Sequence, residues 1–281
     1  MARPLASPGG RRVDLHAHTH FSDGALSPEK LVALAAEREL AALSITDHDS
    51  LEALVPARSA AGRALELVPG IEISSVLAGA ELHILGYYVD PTHEGLLERL
   101  SLFRADRLRR AQAIMERLAQ LGALLDVEEV LGRAGPGVVG RPHIAAALVR
   151  AGHVESLEDA FRRFLGRDAS AYIPRPAFRS EDAIGLIHAA GGVSVLAHPG
   201  AALPEAAVAH LVDAGLRGIE VWHPQHGAAT VRRYRALALR LDLLETGGSD
   251  YHGPGRSADL GGMAVPASVL ARLKEVAGVA G

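Results

Sequence analysis

Short apolar runs of β type recur along the chain, and most end in residues that carry chemistry. Val13-Asp14-Leu15-His16 is the first, and Ala42-Leu43-Ser44-Ile45-Thr46 runs into Asp47-His48-Asp49. Residues 65–68 lead into Pro69-Gly70-Ile71-Glu72, and Leu82-His83-Ile84-Leu85-Gly86-Tyr87 is a fourth run. Three more end at His198-Pro199, at Trp222-His223-Pro224 and at Thr246-Gly247-Gly248-Ser249-Asp250. Between most of them apolar residues recur at helical spacing. Residues 27–38 begin with Ser27 as a capping side chain and Pro28 at the first helical position, and 180–190 and 203–214 also read as helices. Strand alternating with helix predicts a parallel α/β array, closed or open.

Residues 92–165 break that rhythm, with helical periodicity over 96–121 and 141–151 and no strand. A helical lobe inserted between the fourth and fifth strands is expected. It divides the chain into a first barrel part at 1–91, the lobe at 92–170 and a second barrel part at 171–281. The run Arg99, Arg104, Arg107, Arg109, Arg110 reads first as the solvated face of a long helix, with a phosphate-attracting face as the alternative.

Composition narrows the function classes. With 48% hydrophobic residues in 281, the chain can bury a core, which excludes a disordered protein. The absence of Cys removes disulfides, thiolate zinc sites, Fe–S clusters and a cysteine nucleophile. A net charge of −4 opposes a strongly basic nucleic-acid binder. No apolar run approaches the ~20 residues of a membrane span. Residues 1–12 lack the apolar stretch of a secretion signal, so the cytoplasm is the expected compartment.

The 14 His change the picture because of where they fall. His16 and His18, two apart at a strand end, point to one face and can reach one ion. Alone that spacing is a weak signal. Asp23 follows in the turn Phe21-Ser22-Asp23-Gly24, then His48, Glu72, His83, His198, Asp250 and His252 at or near successive strand ends. Strand ends of a parallel barrel converge on one face. Several carboxylates gathered there without cations would be an uncompensated cluster of acids, and a multinuclear metal site resolves the conflict. Mixed His and carboxylate donors suit Mn²⁺, Zn²⁺ or Fe²⁺. Neighbouring dications supply hydroxide at neutral pH and neutralise phosphate oxygens, which favours phosphoester hydrolysis over peptide or glycoside cleavage. No G-x-S-x-G or P-loop pattern is present.

Asp14-Leu15-His16-Ala17-His18, Phe21-Ser22-Asp23-Gly24, Ile45-Thr46-Asp47-His48-Asp49, Pro69-Gly70-Ile71-Glu72-Ile73, His83-Ile84-Leu85-Gly86-Tyr87, Ala197-His198-Pro199 and Gly248-Ser249-Asp250-Tyr251-His252 together resemble the PHP (polymerase and histidinol phosphatase) superfamily. The resemblance covers nearly the whole chain after the N-terminal tail. It implies a distorted seven-stranded (β/α) barrel of α/β class holding up to three divalent ions, Mn²⁺ first among them. His16, His18, Glu72 and Asp250 would hold one ion. Glu72 would bridge to a second with His83 and His198, and Asp23, His48 and His252 would hold the third.

Gly140-Arg141-Pro142-His143, Tyr172-Ile173-Pro174 and Ile219-Glu220-Val221-Trp222-His223-Pro224 resemble the stand-alone members. These include 3′,5′-nucleoside bisphosphate phosphatases and 5′-to-3′ exoribonucleases. Arg141 is then expected to clamp a substrate phosphate, because a guanidinium fork matches phosphate geometry, with Arg175 as a further candidate. His143 and His223 would be phosphate ligands or proton donors to the leaving oxygen. Asp47 and Asp49 would orient His48 or cap a turn. The chain departs from the group at Asp168-Ala169-Ser170-Ala171, which lacks a basic residue, so Arg167 or Arg175 would stand in. The expected activity is removal of the 3′-phosphate from a small nucleoside 3′,5′-bisphosphate. The alternatives are exoribonuclease action on short or 5′-phosphorylated RNA and cleavage of a cyclic phosphate. A non-catalytic metal-binding module is the reading from another class, and the complete ligand set opposes it. Neither a membrane nor an obligate protein partner is expected.

Overall fold

Seven strands hydrogen-bond in chain order: β1 (Val13–Ala17), β2 (Ala42–Ile45), β3 (Glu66–Leu77), β4 (Ala80–Tyr87), β5 (Val193–Leu196), β6 (Gly218–Trp222) and β7 (Leu244–Gly247). This computed structural model describes residues 12–62, 65–134, 138–256 and 258–279; the N-terminal tail read above as lacking a secretion signal lies outside them. Beyond β1, His18 N–H donates to Tyr251 O at 2.9 Å and Ala17 bridges to Tyr251, so the first and last strands meet and the sheet is a nearly closed barrel. The seven-stranded α/β barrel expected from the sequence is therefore present.

One expectation about direction needs correction. β1, β2 and β3 are parallel, as are β5, β6 and β7, but β4 runs antiparallel to both neighbours. The cause is local. Residues 66–77 form one long strand, and Ala78 and Gly79, with φ of 48° and 81°, turn the chain directly into β4. Two residues with positive φ make a tight hairpin, which leaves no length for the crossover that a parallel strand requires. The reversal matters for the site: the start of β4, not its end, lies beside the carboxyl ends of its neighbours.

The helices are α1 (Pro28–Glu37), α2 (Leu54–Ala60), α3 (Glu94–Gln120), α4 (Val127–Ala134), α5 (Arg141–Arg150), α6 (Leu157–Ala160), α7 (Ser180–Ala189), α8 (Glu205–Asp213), α9 (Ala228–Arg240) and α10 (Ser268–Ala277). Ser27 caps α1 by accepting from Lys30 N–H at 3.4 Å, with Pro28 at the first position as the sequence indicates. α3 to α6, followed by a one-turn π-helix at Phe161–Leu165, connect β4 to β5 and bury their own apolar cluster around Ile114, Leu118, Ile144, Leu148 and Leu165. No helix among the described residues is long and apolar enough to cross a membrane.

Candidate metal centre

Imidazoles and carboxylates from every strand of the barrel meet at one end. His16 lies within β1, and His18 follows it; both are fully buried, as is Glu72 in β3. His48 follows β2, His83 sits in the first half of β4, and His198 follows β5. Asp250 and His252 follow β7, and Asp23 comes from the loop after β1. His198 and Asp250 take φ of 26° and 49°, backbone geometry that L-residues adopt at a cost and that re-aims the side chain beyond the strand.

Glu72 is the hub. Its Oε2 is 3.4 Å from His16 Nε2, 3.3 Å from His18 Nε2 and 3.0 Å from His48 Nδ1, while its Oε1 is 2.8 Å from His83 Nδ1 and 2.9 Å from His198 Nε2. Asp250 Oδ1 lies 3.3 Å from His16 Nε2 and 3.2 Å from His18 Nε2, and Asp23 Oδ1 is 3.2 Å from His252 Nε2. Imidazole nitrogens also face each other, His16 Nε2 and His18 Nε2 at 3.1 Å, and His83 Nδ1 and His198 Nε2 at 3.3 Å. Donor atoms about 2.1 Å from one ion stand roughly 3.0–3.5 Å from each other; most of these separations fall in that range and so fit donors around shared ions, while the Glu72 Oε1 contacts are slightly shorter. Asp23 Oδ1 and His48 Nδ1 are buried and make no hydrogen bond of good geometry despite the nearby His252 and Glu72, a lack that a cation between them would resolve. Three groups of donors could each hold an ion: His18, Asp23, His48 and His252; His16, His18 and Glu72; His48, Glu72 and His83. His18, His48 and Glu72 are each common to two groups, and His198 and Asp250 join through their contacts with Glu72, His16 and His18, so all nine residues singled out in the sequence converge.

The electrostatics describe a site with compensated carboxylates. Burial pushes Glu72 up, but His48, His83 and His16 hold it well below the usual carboxylate range. Asp250 is likewise low despite burial, because His16, His18 and His223 face it. Burial takes His48 down to about 4, against Glu72 and Asp23, so its lone pair is available at neutral pH. Burial opposes the charged form of His18, yet hydrogen bonds with Asp250 and Glu72 raise it to about 10.

A carboxylate absent from the expected ligand set completes the arrangement. Glu220, fully buried in β6, faces His16 Nδ1 at 3.1 Å and 3.3 Å through its two oxygens and accepts from His198 N–H at 2.8 Å. Burial opposes the charged form of His16, but Glu220, Glu72 and Asp250 raise its pKa well above the ordinary imidazole range; with an ion bound, the Glu220 contact would keep a proton on Nδ1 and leave Nε2 for the ion. The sequence signal of Glu220 was the charge between Ile219 and Val221 in a strand that is otherwise apolar.

The remaining candidates fall around the rim. Asp47 accepts from Thr19 N–H at 2.7 Å, Thr19 Oγ1 at 2.5 Å and Ser22 Oγ at 2.6 Å, and so shapes the loop that carries Asp23. His20 packs on Phe21 beside that loop. Asp49 accepts from Ser74 N–H at 2.9 Å and from the guanidinium groups of Arg107 and Arg175. Arg107 and Arg110 therefore leave the solvated face assigned to the arginine run, while Arg104 and Arg109 stay exposed on it.

Arg141 donates to Glu81 of β4 at 2.9 Å and lies over the rings of Phe161 and Tyr172, about 5.8 Å from each centroid. Arg167 donates to Gly79 O in the β3–β4 turn. His143 Nδ1 accepts from Gly140 N–H at 3.1 Å, and burial lowers the pKa of the ring, so the neutral imidazole carries its hydrogen on Nε2. His223 Nδ1 accepts from Gln225 N–H at 3.2 Å, and its Nε2 faces Asp250 Oδ2 at 3.3 Å.

Known proteins share this sequence and architecture. Residues 14–122 match the model of the PHP domain. The 5′-3′ exoribonuclease Rnm of Escherichia coli (strain K12) is 40% identical over 258 residues, covering 88% of this chain and 87% of that protein. The 3′,5′-nucleoside bisphosphate phosphatase of Chromobacterium violaceum is 34% identical over 257 residues, covering 86% and 88%. A phosphoribosyl 1,2-cyclic phosphate 1,2-diphosphodiesterase of Eggerthella lenta is 33% identical over 265 residues, covering 90% and 99%. A crystal structure from Bifidobacterium adolescentis, described as a metal-dependent phosphoesterase, superposes with a TM-score of 0.89 at 34% identity, covering 95% of this chain and 97% of that one. On this likeness, the chain belongs to the PHP domain family of metal-dependent phosphoesterases.

Proposed function

We propose that the chain hydrolyses the 3′-phosphate of small nucleoside 3′,5′-bisphosphates, with the nine His, Asp and Glu side chains at the barrel mouth as ligands of up to three divalent ions. The observation that carries the reading is the hub at Glu72, where five imidazole nitrogens stand 2.8–3.4 Å from one fully buried carboxylate. Divalent ions held there would supply a water of lowered pKa and neutralise phosphate oxygens. Mn²⁺ is the first choice for a mixed His and carboxylate donor set, with Zn²⁺ or Fe²⁺ as alternatives.

The chain's own residues then act on the substrate. Glu220 holds His16 with its lone pair toward the centre. His143, neutral with its hydrogen on Nε2, donates to a phosphate oxygen and serves in binding. His223, whose Nε2 faces Asp250, keeps that carboxylate oriented; only as the imidazolium, with Nδ1 released from Gln225 N–H, would it protonate the leaving oxygen and return to the neutral ring. Arg141 would exchange Glu81 for a phosphate oxygen, and Arg175 would stand in for the basic residue that residues 168–171 lack. The helices at 92–170 would form the wall over the substrate as an inserted lobe.

A second reading is 5′-to-3′ exoribonuclease action on short or 5′-phosphorylated RNA, favoured by the 40% identity with the Escherichia coli protein of that activity. Parallel assays on a bisphosphate such as pAp, a short 5′-phosphorylated RNA and a ribose cyclic phosphate separate the readings. Faster turnover of pAp than of RNA supports the first. Faster mononucleotide release from RNA, with pAp left intact, replaces it with the second.

A further inference from the structure

We propose that His226 is a positioning residue for the metal centre: through Gly200 it holds the loop that carries His198 in the strained backbone that brings the His198 ring to Glu72. This rests on the reading of His198 as a metal ligand given above and adds a residue outside those nine. His198 takes φ of 26°, and Pro199 follows it. A non-glycine residue in that region is strained, and such strain persists only where the surrounding structure fixes the chain. On the β5 side the hold is plain: Ala197 N–H donates to His83 O at 3.0 Å, and His198 N–H donates to Glu220 Oε2 at 2.8 Å. Beyond His198, Pro199 has no N–H, so the first backbone donor is that of Gly200.

Gly200 is gripped at both of its polar groups. Its N–H donates to His226 Nε2 at 3.2 Å, and its carbonyl accepts from Tyr234 Oη at 2.6 Å. His226 is buried in the turn between β6 and α9, and Tyr234 is fully buried in α9. Their rings pack with centroids 5.5 Å apart. Farther along the same loop, Arg233 of α9 donates to Ala201 O at 2.7 Å and Leu203 O at 2.6 Å. The start of α9 and the turn before it are thus the support against which the His198 loop is held.

Backbone groups set the tautomer of His226. Its Nδ1 is 3.0 Å from Val221 O, which can only accept, so the hydrogen sits on Nδ1 and Nε2 keeps a lone pair. Gly200 N–H can only donate, and it meets that lone pair. Burial lowers the pKa of the ring, in keeping with the neutral form. Both ring nitrogens are taken by backbone, which leaves neither for an ion. One nitrogen ties the ring to the end of β6, and the other ties the loop after β5 to the ring. The same turn carries His223, whose ring centroid is 5.3 Å from that of His198, so one side chain sets these two imidazoles against each other.

The test compares His226→Gln with His226→Asn in the full chain. The Gln side-chain oxygen reaches the place of Nε2 and can accept from Gly200 N–H, whereas the Asn amide reaches only the place of Nδ1 and can donate to Val221 O. In metal-free protein, Gly200 N–H should exchange with solvent at least about tenfold faster in His226→Asn than in wild type, and should stay slow in His226→Gln. ¹⁵N spectra should show the His226 hydrogen on Nδ1 in wild type, and a displaced His198 resonance in His226→Asn alone. Calorimetric titration of Mn²⁺ should show about tenfold weaker binding to His226→Asn and wild-type binding to His226→Gln. Equal exchange, spectra and Mn²⁺ affinity for the two variants, a wild-type hydrogen on Nε2, or wild-type Mn²⁺ affinity in His226→Asn overturns the proposal. Should His226→Asn fail to fold by circular dichroism, Tyr234→Phe removes the other hold on Gly200. It should displace the His198 resonance and weaken Mn²⁺ binding, and wild-type values for both overturn the proposal. If wild type takes up no Mn²⁺, the ligand reading falls, and the metal-free exchange and His198 spectra still decide the hold on His198.

Discussion

Replacing Glu220 with Gln removes one charge and adds almost no volume, so it isolates what the carboxylate does for His16. Both oxygens of Glu220 accept: His16 Nδ1 lies 3.1 Å from Oε1, and His198 N–H donates to Oε2 at 2.8 Å. Gln has one acceptor. If its oxygen stays on His198 N–H, its amide hydrogens face His16 Nδ1, which must then accept and move the ring proton to Nε2. That proton would point at Glu72 Oε2, 3.4 Å away, where the lone pair of a ligand is required. If the amide turns the other way, its hydrogens meet the His198 N–H and a fully buried donor loses its partner.

Loss of a carboxylate behind a ligating His costs about 10–100-fold in metal affinity, which corresponds to about 1.4–2.7 kcal/mol. The assay is competitive titration of Mn²⁺ into metal-stripped wild type and Glu220→Gln. ¹⁵N spectra of the His rings serve as a direct readout of the tautomer. Unchanged Mn²⁺ affinity together with an unchanged His16 tautomer would refute the reasoning.

Further outcomes follow from the same geometry. Metal uptake should release protons at pH 7–8, because His18 of the metal-free site is held protonated up to about 10 and must lose that proton to ligate. Apparent Mn²⁺ affinity therefore rises with pH, and calorimetry in buffers of different ionisation enthalpy should show the release; pH-independent uptake contradicts it. Gly248→Ala would bring a Cβ to 2.4 Å from both His16 N and His16 Cβ, so it should displace His16, weaken Mn²⁺ binding and destabilise the fold by about 1–3 kcal/mol in denaturant unfolding. Leu148→Ala, in the buried cluster of the helices between β4 and β5, should cost about 2–5 kcal/mol on unfolding while Mn²⁺ affinity stays at the wild-type value.

The convergence of these His, Asp and Glu side chains was legible in the sequence because strand-end placement repeats. His48, His198 and Asp250 each follow an apolar run, and the barrel brings such ends together. Chain direction at β4 was not legible. The third run reads as ending at residue 68, before Pro69-Gly70, whereas the strand continues to Leu77, and its hairpin with β4 stays hidden behind Ala78-Gly79, where Ala78 takes a positive φ that a sequence does not announce. The partly buried members of the arginine run were obscured for another reason. Arg107 and Arg110 have the same local spacing as exposed members of the run, and only the packing of residues 173–178 against α3 distinguishes them. Glu220 was written in the chain as a charge inside an apolar strand, yet its partner His16 is distant in sequence and only barrel closure brings the two together.

The most direct test of the account is phosphate release from pAp by metal-stripped protein, with and without Mn²⁺, beside Glu72→Gln treated identically. The account predicts Mn²⁺-dependent conversion to AMP by wild type and loss of that turnover in folded Glu72→Gln. Phosphate release that persists after metal is stripped, or that survives in Glu72→Gln, would contradict it.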